Sequence, residues 1–128
     1  MKLLLDTHLL LWATEASPRL PAAARRLIAN PANELIFSVA SIWEIAIKHG
    51  KGSERFYAAP GFVREALLEH GYSELNMSGK HVVATADLPS IHKDPFDRIL
   101  IAQSMVEGIT LLTSDAVIAR YPGPIRKV

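Results

Sequence analysis

The chain has 128 residues, of which 49% are hydrophobic and 21% are charged, and its formal net charge is +1. This length and composition predict one globular domain with a single core. The absence of cysteine excludes a disulfide scaffold, a thiolate zinc site and a cysteine nucleophile. The near-neutral charge does not by itself indicate a nucleic-acid partner, so such a partner has to be argued from a site.

The first residues resemble the start of a signal peptide, but the similarity ends early. Asp6 and His8 interrupt the apolar run that begins at Leu3, and no small-residue cleavage site follows. No apolar run approaches the roughly 20 residues that cross a bilayer. The sequence therefore predicts a cytoplasmic protein.

Apolar strands alternate with helices along the chain. The first strand is an uninterrupted leucine run, which is typical of a strand buried on both faces of a parallel sheet. In chain order, the predicted strands cover 3–5, 34–39, 72–77, 109–113 and 125–128. The predicted helices cover 9–13, 22–29, 41–50, 60–68, 79–86 with Ser78 as its cap, 99–106 and 116–119. This alternation predicts an α/β fold in which helices flank a central, mostly parallel sheet.

Four carboxylates lie at the junctions between these elements. Asp6 and Asp115 follow predicted strands, and Glu44 and Asp97 lie near the starts of helices. Ligands bind beyond the carboxyl ends of the strands in such a sheet. Carboxylates that meet there repel one another unless a cation lies between them, and Mg²⁺ or Mn²⁺ accepts oxygen ligands. Such an ion activates water for in-line attack at phosphorus, so the pattern predicts phosphodiester hydrolysis.

Each acid also has a purely structural interpretation. Asp6 and Asp115 are suited to capping helices, Asp97 favours the positive end of its helix, and Glu44 has the capping-box spacing from Ser41. Two rival functions remain open. One is a phosphomonoesterase with Asp6 as nucleophile, although His8 stands where that chemistry usually needs a second acid. The other is a non-catalytic module that binds a metal or a basic peptide.

Three segments resemble a known family. They are LLLDTHLLLWA at 3–13, SVASIWEIAIK at 38–48 and HKDPFDRILIAQSMVEGITLLTSD at 92–115. Together they are similar to PIN domains, and more narrowly to the VapC-type toxins of bacterial toxin–antitoxin pairs that carry an H-x-DPFDR segment. The resemblance covers almost the whole chain in the same order. It implies a single PIN domain over residues 1–128 with a three-layer α/β sandwich.

The resemblance also implies an activity and a set of site residues. The activity is that of a Mg²⁺- or Mn²⁺-dependent endoribonuclease, which forms homodimers and has a cognate antitoxin that occludes the site. The family's catalytic and metal-binding acids fall on Asp6, Glu44, Asp97 and Asp115. Asp94 is a secondary candidate ligand. Thr7 and Ser114 lie beside ligands and are expected to hold them in place or to bind the water shell. Arg98 is expected to neutralise site charge or to contact a phosphate, or alternatively to form a surface salt bridge.

Basic and aromatic residues near these segments have candidate functions of their own. A path for RNA phosphates, or alternatively a solvated rim, is predicted for Lys48, Lys51, Arg55 and Lys93. His8 and His92 flank acids, and we expect local hydrogen bonding from both. Trp12 and Trp43 lie on apolar helical faces and are predicted to belong to the core or to a dimer interface.

Overall fold

The computed structural model describes residues 1–52, 56 and 58–128, and the irregular segment predicted at 55–59 lies partly outside them. The strands are β1 (Lys2–Leu5), β2 (Glu34–Ser38), β3 (Ser73–Leu75), β4 (Thr110–Thr113) and β5 (Ile125–Lys127). The α-helices in the described ranges are α1 (Thr7–Thr14), α2 (Ala22–Ala29), α3 (Val39–Gly50), α4 (Pro60–Glu69), α5 (Gly79–Ala84) and α6 (Pro95–Glu107). The predicted alternation of strands and helices is confirmed.

The five strands form one sheet in the order β3-β2-β1-β4-β5. Every neighbouring pair is parallel, as predicted for an α/β fold. Leu4 of the central strand β1 is in register with Ile36 on one side and Leu111 on the other. The strand order reverses between β1 and β4, because β2 and β3 add to one side of β1 and β4 and β5 add to the other. The carboxyl ends of β1 and β4 flank this reversal, where α/β sheets bind their ligands.

Successive side chains of β1 enter two different cores. Leu3 and Leu5 pack on one face of the sheet with residues of α1 to α4, whereas Leu4 packs on the other face with Leu100 of α6 and Leu111. All three leucines of β1 are fully buried, which explains the uninterrupted apolar run in the sequence. The molecule is the predicted three-layer sandwich of helices, sheet and helices.

Two predicted helices differ from the observed ones. The helix predicted at 116–119 is a 3₁₀ turn at Ile118–Arg120, because Pro122 follows too closely for an α-helix to develop. The helix predicted after the cap Ser78 does begin at Gly79, and only its end differs, because the last turn tightens into a 3₁₀ helix at Thr85–Asp87. No helix in the described ranges has both the length and the apolar character that a membrane span requires.

The cap of α3 decides between two interpretations of Glu44. Ser38, and not Ser41, is the N-cap residue, and its Oγ accepts from the Ala40 amide at 3.0 Å. Glu44 is therefore the sixth residue of α3, beyond the position that closes a capping box. The capping-box interpretation of Glu44 is wrong.

Candidate metal centre

Asp6 is held rigidly where β1 passes into α1. Its side chain caps α1, with Oδ1 accepting from the Leu9 amide at 2.9 Å. Oδ2 accepts from the Thr113 hydroxyl at 2.5 Å. The residue is 4% exposed. Asp6 is therefore a helix cap, as one interpretation of the sequence expected, and also a buried carboxylate at the carboxyl edge of the sheet.

Thr113, the last residue of β4, links two of the acids. Its fully buried hydroxyl donates to Asp6 and accepts from the amide of Asp115 at 3.0 Å. Asp115 in turn caps the following turn, with Oδ1 accepting from the Val117 amide at 2.7 Å. Thr113 was not among the predicted site residues. The available signal was a hydroxyl residue ending an otherwise buried apolar strand.

Glu44 extends from α3 as a buried carboxylate and is 2% exposed. Its Oε2 accepts from Nζ of Lys48, one helical turn later, at 2.5 Å. Its Oε1 is buried without a hydrogen-bond partner among the described residues. A buried carboxylate oxygen without a hydrogen-bond partner is energetically unfavourable. Oε1 of Glu44 is therefore available as a ligand atom for a cation.

The start of α6 contributes two further acids and a histidine. Asp94 is the N-cap, and its Oδ1 accepts from the amides of Phe96 at 2.8 Å and Asp97 at 3.3 Å. Asp97 Oδ2 pairs with Nε2 of His92 at 2.8 Å, which fits the local hydrogen bonding expected of His92. One ligand atom from each of His92, Asp94 and Asp97 lies within 4.8 Å of the others.

These charged groups shift one another's pKa values, as the pKa of Asp97 shows. Burial is the main cause that raises the pKa of Asp97 from 3.8 to about 7. The neighbouring charges of Asp94, Glu44 and Asp6 contribute to this rise, whereas His92 opposes it. The structure therefore brings Asp97 close to Asp6 after β1, to Glu44 within α3 and to Asp94 at the N-cap of α6.

Asp6 connects this group to the fourth predicted acid. Burial raises the pKa of Asp6 above its ordinary value, and the charge of Asp115 raises it further. Hydrogen bonds from Thr113 and the Leu9 amide, together with nearby His8, lower the same pKa. All four predicted acids thus belong to one electrostatically connected cluster at the carboxyl edge of the sheet.

The donor set of this cluster fits a hard divalent cation. Its acids offer oxygen ligands on rigid elements, as Mg²⁺ and Mn²⁺ require. Glu44 Oε1 has no hydrogen-bond partner among the described residues, and burial and neighbouring acids raise the pKa of Asp97, so both groups would be stabilised by an added positive charge. A cation would satisfy that oxygen and favour the ionised form of Asp97.

Arg98 supports the site through the backbone. Its guanidinium donates to the Tyr121 hydroxyl at 3.3 Å and to four main-chain carbonyl oxygens, those of Thr85, Leu88, Pro89 and His92. The Tyr121 hydroxyl also accepts from the His92 amide at 2.6 Å. Arg98 thus secures the segment that carries His92 and Asp94 to the start of α6, and contact with RNA phosphate stays a prediction.

We expect Arg98→Ala to lower the free energy of unfolding by about 1–3 kcal/mol, because several partly buried carbonyl groups lose a charged donor. Chemical denaturation of the purified protein measures this. Arg26→Ala on the exposed face of α2 is the matched control, with a change within about 0.5 kcal/mol. Equal stability of the two variants would show that the network around Arg98 contributes nothing.

The remaining candidate residues lie around the cluster. The Thr7 hydroxyl donates to Ser41 Oγ at 3.0 Å, which ties α1 to α3, and Ser114 is half-buried. Lys51 and Lys93 are exposed, and Arg55 lies outside the described residues, so an RNA path along these cations stays a prediction.

Three aromatic side chains near the acids differ in their surroundings. The His8 ring lies 5.9 Å from that of Trp12, which packs against the core. Trp43 is not a core residue, because it is 55% exposed and packs edge-on against Phe96 at 5.1 Å. Its predicted place in a dimer interface is untested.

The fold and the acids together define an α/β protein with an acidic centre at the carboxyl ends of parallel strands. The chain belongs to the PIN domain family, whose model matches residues 3–124. This confirms the family that the three sequence segments indicated. Its placement in the H-x-DPFDR subgroup stays a prediction. No curated protein matches the chain in sequence.

Solved structures share the fold over nearly the full length. VapBC2 from Rickettsia felis, bound to a DNA fragment from its promoter, matches with a TM-score of 0.72 and 16% identity over 100% of this chain and 99% of that chain. DNA-bound VapBC from Salmonella typhimurium matches with a TM-score of 0.69 and 18% identity over 99% of this chain and 98% of that chain. VapBC-1 from nontypeable Haemophilus influenzae matches with a TM-score of 0.63 and 17% identity over 99% of this chain and 98% of that chain.

Proposed function

We propose that this protein is a metal-dependent endoribonuclease and the toxin component of a toxin–antitoxin pair. Its membership of the PIN domain family supports a nuclease, and its structural neighbours in VapBC complexes support a toxin. The observation that carries the proposal is the buried acidic cluster, in which Glu44 Oε1 has no partner among the described residues and the pKa of Asp97 is raised to about 7.

In this proposal Asp6, Glu44, Asp97 and Asp115 hold Mg²⁺ or Mn²⁺. When bound there, such a cation would provide an activated water and charge stabilisation for in-line displacement at a phosphodiester. Thr113 fixes Asp6 relative to Asp115, and His92 orients Asp97. Asp94 serves mainly as the cap of α6, with one carboxylate oxygen accepting two amides.

Two observations argue against the two rival functions. A phosphomonoesterase with Asp6 as nucleophile usually needs a second acid two positions later to protonate the leaving group, and His8 occupies that position. A purely structural ion does not need four acids at the reversal of strand order, where α/β folds bind substrates. Both observations favour acids that hold a reacting cation.

The proposal includes two macromolecular partners besides RNA. Because the structural neighbours are VapBC complexes, we expect a cognate antitoxin that covers the acidic cluster. We also expect a homodimer, for which the exposed Trp43 offers apolar surface. Cleavage of cellular RNA by such a toxin would take place in the cytoplasm.

The test is cleavage of total cellular RNA by the purified, antitoxin-free protein with Mg²⁺, with Mn²⁺ and with EDTA. We expect discrete fragments with either metal and none with EDTA, because the carboxylates alone lack the required positive charge. Asp6→Asn, run in parallel, should cleave no RNA while keeping the fold. Cleavage that persists in EDTA or in folded Asp6→Asn would disprove the metal-dependent mechanism.

A further inference from the structure

The ion pair between Lys48 and Glu44 differs from an ordinary surface pair. Exposed lysine–glutamate pairs contribute little, because water solvates both charges. Here the Glu44 side chain is 2% exposed and that of Lys48 is 33% exposed. Removing the ammonium would leave a buried carboxylate without a compensating charge, which is strongly destabilising.

An aromatic ring confines the ammonium of Lys48 from a second side. Nζ lies 4.8 Å from the centre of the Phe56 ring, a distance at which the ring face attracts a cation. Phe56 is 3% exposed, and its other contacts include the His8 ring at 5.8 Å. The position of the ammonium is therefore fixed by two buried groups.

Glu44 connects this fixed cation to the candidate metal centre. One carboxylate oxygen pairs with Lys48, while the other has no hydrogen-bond partner among the described residues. The charge of Glu44 also contributes to the raised pKa of Asp97. Lys48 and a bound divalent cation would thus share one carboxylate.

We infer that Lys48 is the internal counter-ion of the centre, which holds Glu44 in place in the metal-free protein and lowers the affinity for the metal. The inference rests on the proposed metal-binding function. Like charges that share a ligand repel, so the ammonium opposes the divalent cation while it satisfies Glu44 in its absence. Lys48 is a positioning residue, because it acts through Glu44.

Titration calorimetry of the full chain with Mn²⁺ tests the inference. We expect Lys48→Met to bind Mn²⁺ about tenfold more tightly than the wild type, since one competing positive charge is removed. Lys48→Arg keeps the charge and should bind within about threefold of the wild type. Lys2→Met, which breaks an exposed pair with Glu34, should leave the affinity unchanged. Equal or weaker binding by Lys48→Met would overturn the inference.

Thermal unfolding without metal gives a second, independent readout. Lys48→Met should lower the Tm of the metal-free protein, and Mn²⁺ should then raise the Tm by more than it does in the wild type. In a Glu44→Gln background, where no buried charge needs compensation, the same substitution should have little effect on Tm. If it lowers the Tm equally in both backgrounds, Lys48 does not act through Glu44 and the inference fails.

The two experiments separate this inference from the proposed function. If the wild type binds no Mn²⁺, the metal centre itself is disproved and the inference falls with it. If the wild type binds Mn²⁺ but Lys48→Met binds it identically, only the counter-ion inference fails. Should Lys48→Met not fold alone, folding of the Glu44→Gln/Lys48→Met double variant supports it, and misfolding of that double variant overturns it.

Discussion

Replacement of Asp97 by asparagine should lower the rate of RNA cleavage by about a thousandfold or more. Asp97 lies at the start of α6, and burial together with the charges of three other acids raises its pKa to about 7. An amide keeps the size of the side chain but weakens its hold on a divalent cation. Metal ions contribute several kcal/mol of transition-state stabilisation, which corresponds to about a thousandfold in rate.

The measurement is the initial rate of cleavage at saturating Mg²⁺, with circular dichroism as the check on folding. Asp87→Asn is the matched control, because Asp87 is an exposed acid in the 3₁₀ turn before Leu88. We expect that variant to cleave at the wild-type rate. A folded Asp97→Asn protein that retains more than about a tenth of wild-type activity would be incompatible with Asp97 as a metal ligand.

The parts of the fold that the sequence predicted are those that follow from local patterns. The leucine run at β1 indicated a strand buried on both faces, and the helical pattern at 99–106 indicated α6, which ends at Gly108 with φ 66°. Asp6 and Asp115 were singled out because they lie just beyond the carboxyl ends of predicted strands. Parallel strands bring such positions to one edge whatever the strand order, so the cluster could be expected without knowing that order.

Contacts between distant segments were not predictable in this way. The hydroxyl of Thr113 bonds Asp6 across 107 positions of the chain, and no local pattern records such a pairing. Arg98 was expected near the site charge because it follows Asp97, yet its helical position turns it towards the carbonyls of the preceding segment. Asp6 and Asp115 do cap helical turns, as their structural interpretation expected, and this does not exclude metal binding, since one carboxylate can cap a helix and still offer lone pairs.

The metal-free protein should lose stability as the pH rises from about 4 to 7, contrary to the usual behaviour of paired carboxylates. The pKa of Asp97 in the folded state, about 7, lies above its ordinary value of 3.8, and the pKa of Asp6 is raised as well. The folded state therefore binds more protons than the unfolded state within this window. The contribution of Asp97 to the free energy of unfolding is fully present below pH 3.8. It falls by up to about 1.4 kcal/mol per pH unit until pH 7.

A divalent cation should remove this loss, because it replaces the protons that the acids otherwise bind. We expect Mg²⁺ to raise the Tm more at pH 8 than at pH 5.5, where protons compete with the metal for the same carboxylates. Scanning calorimetry across this range, with EDTA and with Mg²⁺, measures both effects. In metal-free Asp97→Asn the Tm should change less with pH, because this titrating group has been removed. A metal-free Tm that is constant or rises between pH 5 and 7 would mean that the acids are not held in one buried, repelling cluster, and the structural basis for a cation among them would be lost.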